Sequence, residues 1–475
     1  MEYYLISPKV DGVNVEEFVD EMFKKHIVMM GWHTDNAKGQ QFNNMSKGDF
    51  VLVARRQNWE FIYYFAGVID DEGSSYDEDD HQYRKIKNFI DLRNYKTDIL
   101  SEASFVGQRV IPAIIKINEY NNESVIGKLN KIRNMGAQKE YIDSVIKLLK
   151  SNYNLILTGA PGTGKTYLAK KIAEQMILGH PLEDEERASA GEKAKMDEQY
   201  DFVQFHPSLD YTDFIEGLRP IDAGNGNVSF RREDGMFMAF CRKALTAYNN
   251  AKAKNEETPK YIFVIDEINR GEISKIYGEL FFSIDSGYRG EKGKVRTQYS
   301  NLWKTSDDEE HRTFGGSNSF YVPENVYIIG TMNDIDRSVE TMDFAMRRRF
   351  AFKEVSADER KDMIKEDEKL AAYFDDIDKH MTNLNNCILS IPGLSKSYQI
   401  GAAYYLKLKN YLPDNTTVDN AIPNDSWKDL WDNHIYGLLF EYLRGIPEAQ
   451  ECLKRLKDAF DLKVLYDENG NEIKK

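Results

Sequence analysis

Cysteine is scarce in this 475-residue chain: Cys241, Cys387 and Cys452 stand alone, far apart and without metal-ligand spacing. That usage excludes a disulfide framework and fits a reducing compartment. No run approaches the roughly 20 apolar residues needed to span a bilayer. The opening MEYYLISPKV lacks the basic-then-apolar pattern of a secretory signal. These absences predict a cytoplasmic protein with no membrane partner. No internal repeat of solenoid length is present. Positive charge is also short, with 63 Lys+Arg against 78 Asp+Glu and a net charge of −15. Residues 1–120 carry 14 basic and 20 acidic side chains, a balance of −6. Nucleic-acid binding in that segment would have to rest on a pocket rather than on bulk attraction.

Apolar residues make up 41% of the chain and aromatics 12%, which predicts folded structure, and the length predicts two or three domains. Residues 1–120 hold short strand-like runs, EYYLI, DFVLVAR, FIYYFAGVI and PAIIKI, broken by Gly and Asp clusters such as the acidic loop at 70–82. They predict a small β-rich, barrel-like domain. Residues 121–150 read as a linker and helix. From 151 to 355 the pattern becomes strand, glycine loop, helix, strand, which predicts an α/β domain on a largely parallel sheet. Residues 356–475 read mainly as helix, with a polar, frayed tail. The mixed-charge stretch 287–313 reads as a solvated hairpin, with a pore or partner-contact loop as the sharper alternative.

The chemistry starts at GAPGTGKT, 159–166, which fills every position of G-x-x-x-x-G-K-[ST] between an apolar strand and a helix. Gly159, Ala160, Pro161, Gly162, Thr163 and Gly164 would wrap phosphates with backbone N–H groups. Lys165 would reach the β- and γ-phosphates, and the Thr166 hydroxyl would coordinate Mg²⁺. In YIFVIDEINRG the apolar run ends on Asp266 and Glu267. Asp266 would hold Mg²⁺ and Glu267 would polarise the attacking water; the bland reading is an acidic pair opening a helix. IIGTMNDIDRS then ends a core-like strand on Asn333, Asp334, Asp336 and Arg337. A strand lying between the other two would bring Asn333 beside the γ-phosphate, to orient water together with Glu267. Alone, an Asn after a strand is more often a turn residue. The triplet in MRRRF is either a solvated basic face or the source of an arginine finger, and a finger acting in trans needs a ring.

Together these residues resemble the AAA+ class and, within it, the McrB branch, the NTPase of modification-dependent restriction systems. FVQFHPSLDYTDFIEGLRP, VIDEINRGEISKIYGELFFSID and VPENVYIIGTMNDIDRSVETMDFAMRRRF carry the likeness. It implies an α/β AAA+ NTPase domain with a parallel sheet and a C-terminal helical lid. It implies GTP (or ATP) with Mg²⁺ as ligand, a homo-hexamer ring, and a separate McrC-like nuclease as partner. Asn333 and Asp336 fall on the M-N-x-x-D-R pattern that supports hydrolysis, and Arg348 and Arg349 on the triplet members that sense phosphate or act as the finger. IGAAYYLKL departs from the family's Gly-His-Ser-Tyr-Phe-like lid stretch, with Ala402 and Ala403 for His and Ser. A protein-remodelling ATPase of the MoxR kind, or a nucleotide-gated nucleic-acid binder, are the alternative functions.

HIVMMGWHTD and MSKGDFVLVARRQNWEFIYYFAGVIDD resemble PUA-like domains of the EVE and YTH type. The resemblance implies recognition of DNA carrying a modified cytosine, or of another modified base. Trp32, Trp59, Tyr63 and Phe65 are the candidate stacking faces, with Tyr63 and Phe65 expected on one face of a strand and Tyr64 on the other.

Overall fold

A computed structural model describes residues 1–8, 15–30, 37–57, 60–78, 81–93, 99–100, 103, 113–120, 123–182, 186, 188–222, 227–303, 314–335, 344–413 and 421–473. The chain forms two compact units, Met1–Ser144 and Val145–Lys475. Among the described residues no helix is long and apolar enough to cross a membrane.

The first unit is built on one sheet of β1 (Tyr3–Ile6), β2 (Ile27–Met30), β3 (Phe50–Gln57), β4 (Glu60–Ile69), β5 (Ser75–Tyr76), β6 (Gln82–Asp91) and β7 (Ile114–Lys116). The order is β2-β6-β4-β3-β1-β7, with β5 against β6, and only β1 with β3 is parallel. Strand β3 sends Phe50, Leu52 and Ala54 into one core and Val51 and Val53 into another. Helices α1 (Val15–Lys25) and α2 (Ala37–Asn43) close the second core with Phe18, Val19, Met22 and Phe42. Helix α3 (Glu123–Asn152) closes the first with Val125, Leu129 and Ile132. The helix expected within 121–150 spans Glu123–Asn152, and its apolar spacing serves this sheet. Burial on both faces explains why the strands read as unbroken apolar runs.

The fully buried Arg84 ties the acidic loop down, with Nε on Asp71 Oδ1 at 2.5 Å and Nη1 on the Met45 carbonyl at 2.8 Å. The β3–β4 register slips so that Val53 faces Phe65 and Ala54 faces Tyr63, leaving Tyr64 as a β-bulge. The extra residue shifts the alternation by one. Tyr63 consequently packs in the first core while Tyr64 and Phe65 pack in the second, which corrects the expectation that Tyr63 and Phe65 share a face.

The second unit carries a parallel sheet of β8 (Asn154–Thr158), β9 (Tyr200–Gln204), β12 (Tyr261–Asp266), β13 (Val326–Thr331) and β14 (Ala351–Glu354), ordered β14-β8-β13-β12-β9. A separate antiparallel hairpin pairs β10 (Glu216–Asp222) with β11 (Val228–Asp234). Helix α4 (Lys165–Leu178) follows β8, α5 (Ala190–Gln199) leads into β9, and α6 (Tyr211–Phe214) and α7 (Met236–Lys254) flank the hairpin. Phe214, Phe237, Phe240, Phe263 and Tyr277 form the aromatic centre of its core. Because every strand of the sheet points the same way, the residues that end β8, β12 and β13 gather at one edge, where open α/β sheets bind ligands.

Two expectations change here. Residues 287–303 are not a solvated hairpin: Arg289 is buried, with Nη2 on Asn154 Oδ1 at 2.5 Å and Nη1 on the Val326 carbonyl at 3.2 Å. Burial lowers that guanidinium to about 10. Trp303 Nε1 donates to Glu216 Oε2 at 2.9 Å, pinning the same segment to the base of the β10–β11 hairpin. Residues 304–313 lie outside the described residues. The tail is likewise folded, as β15 (Leu465–Tyr466) pairs with β16 (Glu472–Ile473) and the Tyr466 N–H donates to Asn383 Oδ1 at 2.7 Å. The helical lid has its own core, with Ile377, Met381 and Leu384 facing Leu439, Leu456 and Phe460.

Candidate active site

The phosphate loop is held in shape before any side chain reaches out. Gly159, Gly162 and Gly164 all have positive φ, 133°, 74° and 80°. A Cβ at Gly162 would lie 2.5 Å from the Tyr404 ring, and one at Gly159 would strike the Val355 carbonyl, so both positions need glycine. Thr163 Oγ1 donates to the Ala160 carbonyl at 3.1 Å. The lid closes over the loop through peptide groups: Gly401 N–H donates to the Pro161 carbonyl and Ala403 N–H to the Gly162 carbonyl, both at 3.0 Å.

Lys165, the first residue of α4, is buried and donates from Nζ to the Gly159 carbonyl at 3.0 Å and the Ala160 carbonyl at 2.8 Å. Burial lowers its ammonium to about 8, against the opposing pull of Asp334, Glu267 and Asp266. Three carboxylates thus face the lysine of the phosphate loop.

Strand β13 lies between β8 and β12, as the sequence implied, and its end meets theirs. Thr166 Oγ1 donates to Asp266 Oδ1 at 2.7 Å, and Thr331 Oγ1 donates to the same oxygen at 2.6 Å. The Thr331 hydroxyl also accepts from the Glu267 N–H at 3.2 Å. Asn333 Nδ2 donates to Glu267 Oε1 at 2.7 Å, and Arg270 Nε meets Glu267 Oε2 at 3.3 Å. Glu267 is left-handed, with φ 50°. A non-glycine residue there stores backbone strain of about 1–3 kcal/mol, held only because its surroundings over-determine it. Thr331, Asn333 and Arg270 are those surroundings. Sequence reading missed Thr331, although its place immediately before Met332-Asn333 at the end of a buried strand was a signal.

The arginine triplet separates. Arg349 is half-buried, with Nη1 on the Ala345 carbonyl at 2.6 Å and its guanidinium 4.7 Å from the centre of the Phe281 ring. Arg347 lies 5.5 Å over Phe352. Arg348 is exposed and has no side-chain partner among the described residues. Asp336 and Arg337 lie outside the described residues, as do Trp32 and Trp59. Tyr63 and Phe65 are core, and the Tyr63 hydroxyl accepts from the Leu100 N–H at 2.9 Å. Neither ring offers a face to a base.

The oxygens of Thr166 and Asp266 suit a hard cation. Among the described residues no cluster of three or more His, Cys, Asp or Glu could hold a metal alone. A cation here would complete its shell from phosphate oxygens and water, the habit of Mg²⁺.

Comparison with known proteins agrees with this geometry. The family described as AAA domain (dynein-related subfamily) matches residues 154–350. The "Type IV methyl-directed restriction enzyme EcoKMcrB subunit" of Escherichia coli (strain K12) is 34% identical over 380 residues, 78% of this chain and 71% of that protein. The "Type II restriction enzyme BsuMI component YdiS" of Bacillus subtilis (strain 168) is 25% identical over 217 residues, 42% of this chain and 56% of that one. Among solved structures, C. elegans PCH-2 aligns over 69% of each chain at 15% identity with a TM-score of 0.22, too slight a likeness to bear on the fold. With a phosphate loop, an acidic strand end and a polar strand end converging on one edge, and with this relative matched along most of its length, the chain belongs to the McrB family of AAA proteins and carries a nucleoside triphosphatase domain.

Proposed function

We propose that the chain is the motor subunit of a modification-dependent restriction complex. It hydrolyses GTP, with ATP as the second choice, in a ring of identical subunits, and it drives a separate McrC-like nuclease. The observation that carries the hydrolytic part is the chain of contacts from Thr166 through Asp266 and Thr331 to Glu267 and Asn333. Backbone amides of 159–164 and Lys165 bind the triphosphate, while Thr166 and Asp266 would hold Mg²⁺, whose charge would offset that of the phosphate oxygens. Glu267 accepts a proton from the attacking water, and Asn333 holds that carboxylate in place from one side. Arg348 supplies the finger to a neighbouring subunit; its exposure and its lack of a side-chain partner among the described residues support that role, whereas Arg349 serves its own subunit. Asp336, on the M-N-x-x-D-R pattern, supports hydrolysis.

The restriction part rests on two relatives that are both restriction-enzyme components, one of them methyl-directed. We assign residues 1–120 to recognition of DNA with modified cytosine, 121–150 to the connecting helix, 151–355 to the nucleotide domain and 356–475 to the lid. Because Tyr63 and Phe65 are core, any stacking on a flipped base falls to Trp32 and Trp59. The decisive experiment measures GTP and ATP turnover side by side, with and without a co-expressed nuclease partner and DNA bearing methylated or plain cytosine. Faster GTP turnover and cleavage confined to modified DNA are expected. Turnover with ATP alone, and indifference to DNA of either kind, would favour a protein-remodelling ATPase.

A further inference from the structure

The phosphate loop reads phosphates and says nothing of the base. A nucleoside whose phosphates lie on 159–166 must extend past the first turn of α4, where Tyr167 follows Thr166 with 44% of its surface exposed. The segment leaving β14 runs along this border. Val355 presents its carbonyl to Gly159, and the Met363 methyl lies over Gly164. Between them sits Arg360, with its guanidinium carbon 5.8 Å from the centre of the Tyr167 ring.

Arg360 is only 5% exposed, yet its Nε and Nη2 have no hydrogen-bond partner among the described residues. The comparably buried Arg84, Arg232 and Arg289 are each bonded to a carboxylate or a carbonyl, and of the three Arg289 alone leaves one nitrogen, Nε, without a partner among the described residues. The charged neighbours of Arg360 are committed elsewhere: Lys361 to Asp378 at 2.8 Å and Glu359 to Lys353 at 2.8 Å. A buried guanidinium with two N–H groups unmatched is costly unless a ligand brings acceptors.

We propose that Arg360 reads the nucleobase, Nε and Nη2 donating to O6 and N7 of guanine while Tyr167 flanks the nucleoside. The proposal rests on the reading of the chain as a GTPase and supplies the guanine-recognising group that no motif in the sequence provides. Guanine presents two adjacent acceptors on that edge, which match a planar two-donor fork. Adenine presents N7 beside the N6 amino donor, and the donor opposes the fork.

The test titrates the full chain with Mg²⁺ and a fluorescent GTP analogue, displaced in turn by GTP, ATP, 7-deaza-GTP and inorganic tripolyphosphate. For the wild type, GTP should outcompete ATP by on the order of tenfold or more, and removal of N7 should cost much of that margin. Arg360→Gln should lose at least about tenfold for GTP and hold or gain for ATP, since a glutamine amide pairs with the N6/N7 edge of adenine. In that variant 7-deaza-GTP should bind as GTP does. Retained ATP affinity reports a folded site; if Arg360→Gln binds nothing, Arg360→Lys keeps the charge without the fork and should lose GTP preference alone. Equal losses for GTP, ATP and tripolyphosphate would place Arg360 on a phosphate and overturn the proposal, as would unchanged GTP affinity. A wild type that prefers ATP would instead overturn the GTPase reading, before any variant is made.

Discussion

Replacing Thr331 with valine removes one hydroxyl from a buried position and little else, so its consequence can be worked out bond by bond. The hydroxyl donates to the Asp266 carboxylate at 2.6 Å and accepts from the Glu267 N–H at 3.2 Å. A hydrogen bond to an ionised group contributes about 1.5–3 kcal/mol, and a buried N–H left unpaired costs about 1–3 kcal/mol. Part of that is recovered by water and by relaxation of Glu267 out of its left-handed conformation, φ 50°. Asp266 keeps its bond from Thr166, so the Mg²⁺–nucleotide complex should bind within about fivefold of wild type. The loss falls on the position of the Glu267 carboxylate, and about 1.4–2.8 kcal/mol there corresponds to a roughly 10- to 100-fold fall in kcat. Thr331→Ser keeps the hydroxyl and should restore most of the rate despite the lost methyl. Phosphate release at saturating nucleotide, paired with a binding titration, separates the two quantities. Turnover of Thr331→Val within twofold of wild type would show that the hydroxyl does not position Glu267. A loss of binding equal to the loss of rate would move its role to the metal.

Lys165 titrates in a usable range. Its ammonium, near 8 in the folded protein against an ordinary 10.5, is lost from the fold as pH rises through about 8, while the unfolded chain keeps its proton until about 10.5. Triphosphate affinity should therefore fall above about pH 8, by up to about tenfold per pH step, and the fold should gain from this group between those two values; flat affinity from pH 7 to 9.5 would contradict the depressed lysine. Arg348→Ala should leave the melting temperature within about 1 °C, abolish turnover alone, and recover activity when mixed with Lys165→Ala subunits. Arg349→Ala should lower the melting temperature, because it loses the Phe281 face and the Ala345 carbonyl bond, and mixing should not restore it. Phe65→Ala should destabilise the first unit by about 3–5 kcal/mol, visible in calorimetry of the full chain. A Phe65→Ala protein that melts normally but no longer prefers modified DNA would return that ring to a recognition role.

The nucleotide site was legible because its parts are local. A phosphate loop needs glycines at fixed offsets, and parallel strands end in polar residues only where something must be reached, so 159–166, Asp266, Glu267 and Asn333 could be read one after another. What stayed hidden depends on contacts between distant segments. Arg289 read as one charge among many in 287–313, and only the approach of Asn154 and the Val326 carbonyl makes it a core residue. Tyr63 and Phe65 obeyed strict alternation on paper, and a single bulged residue, Tyr64, put them on opposite faces. Asn154 was one polar letter at the start of an apolar strand, yet its side chain bonds the Ile284 and Arg349 carbonyls at 2.7 and 2.8 Å and so fixes the backbone at the last residue of the arginine triplet. Arg348 and Arg349 are chemically identical in the sequence; Phe281 beneath Arg349 and the Ala345 carbonyl that its guanidinium bonds tell them apart.

The lid shows the same limit from the other side. Alanine at 402 and 403, where relatives of this kind would place histidine and serine, put a lid contribution from those positions in doubt. That doubt assumed a side-chain contact. The bonds that form are hydrogen bonds between peptide groups: the amides of Gly401 and Ala403 donate to the carbonyls of Pro161 and Gly162, and the Tyr404 ring covers Gly162. Amide donors do not depend on side-chain identity, so small residues at 402 and 403 preserve the contact and allow the close approach at Gly401, where a Cβ would collide with the backbone of Gly162. It follows that phosphate-loop geometry and lid position are mechanically joined. A nucleotide that re-aims the carbonyls of Pro161 or Gly162 must either carry the start of the 402–405 helix with it or break two hydrogen bonds at about 1 kcal/mol each. Substituting Gly401 with alanine should therefore loosen the lid and weaken binding of every nucleoside triphosphate alike, which separates this coupling from the base-selective effect expected at Arg360.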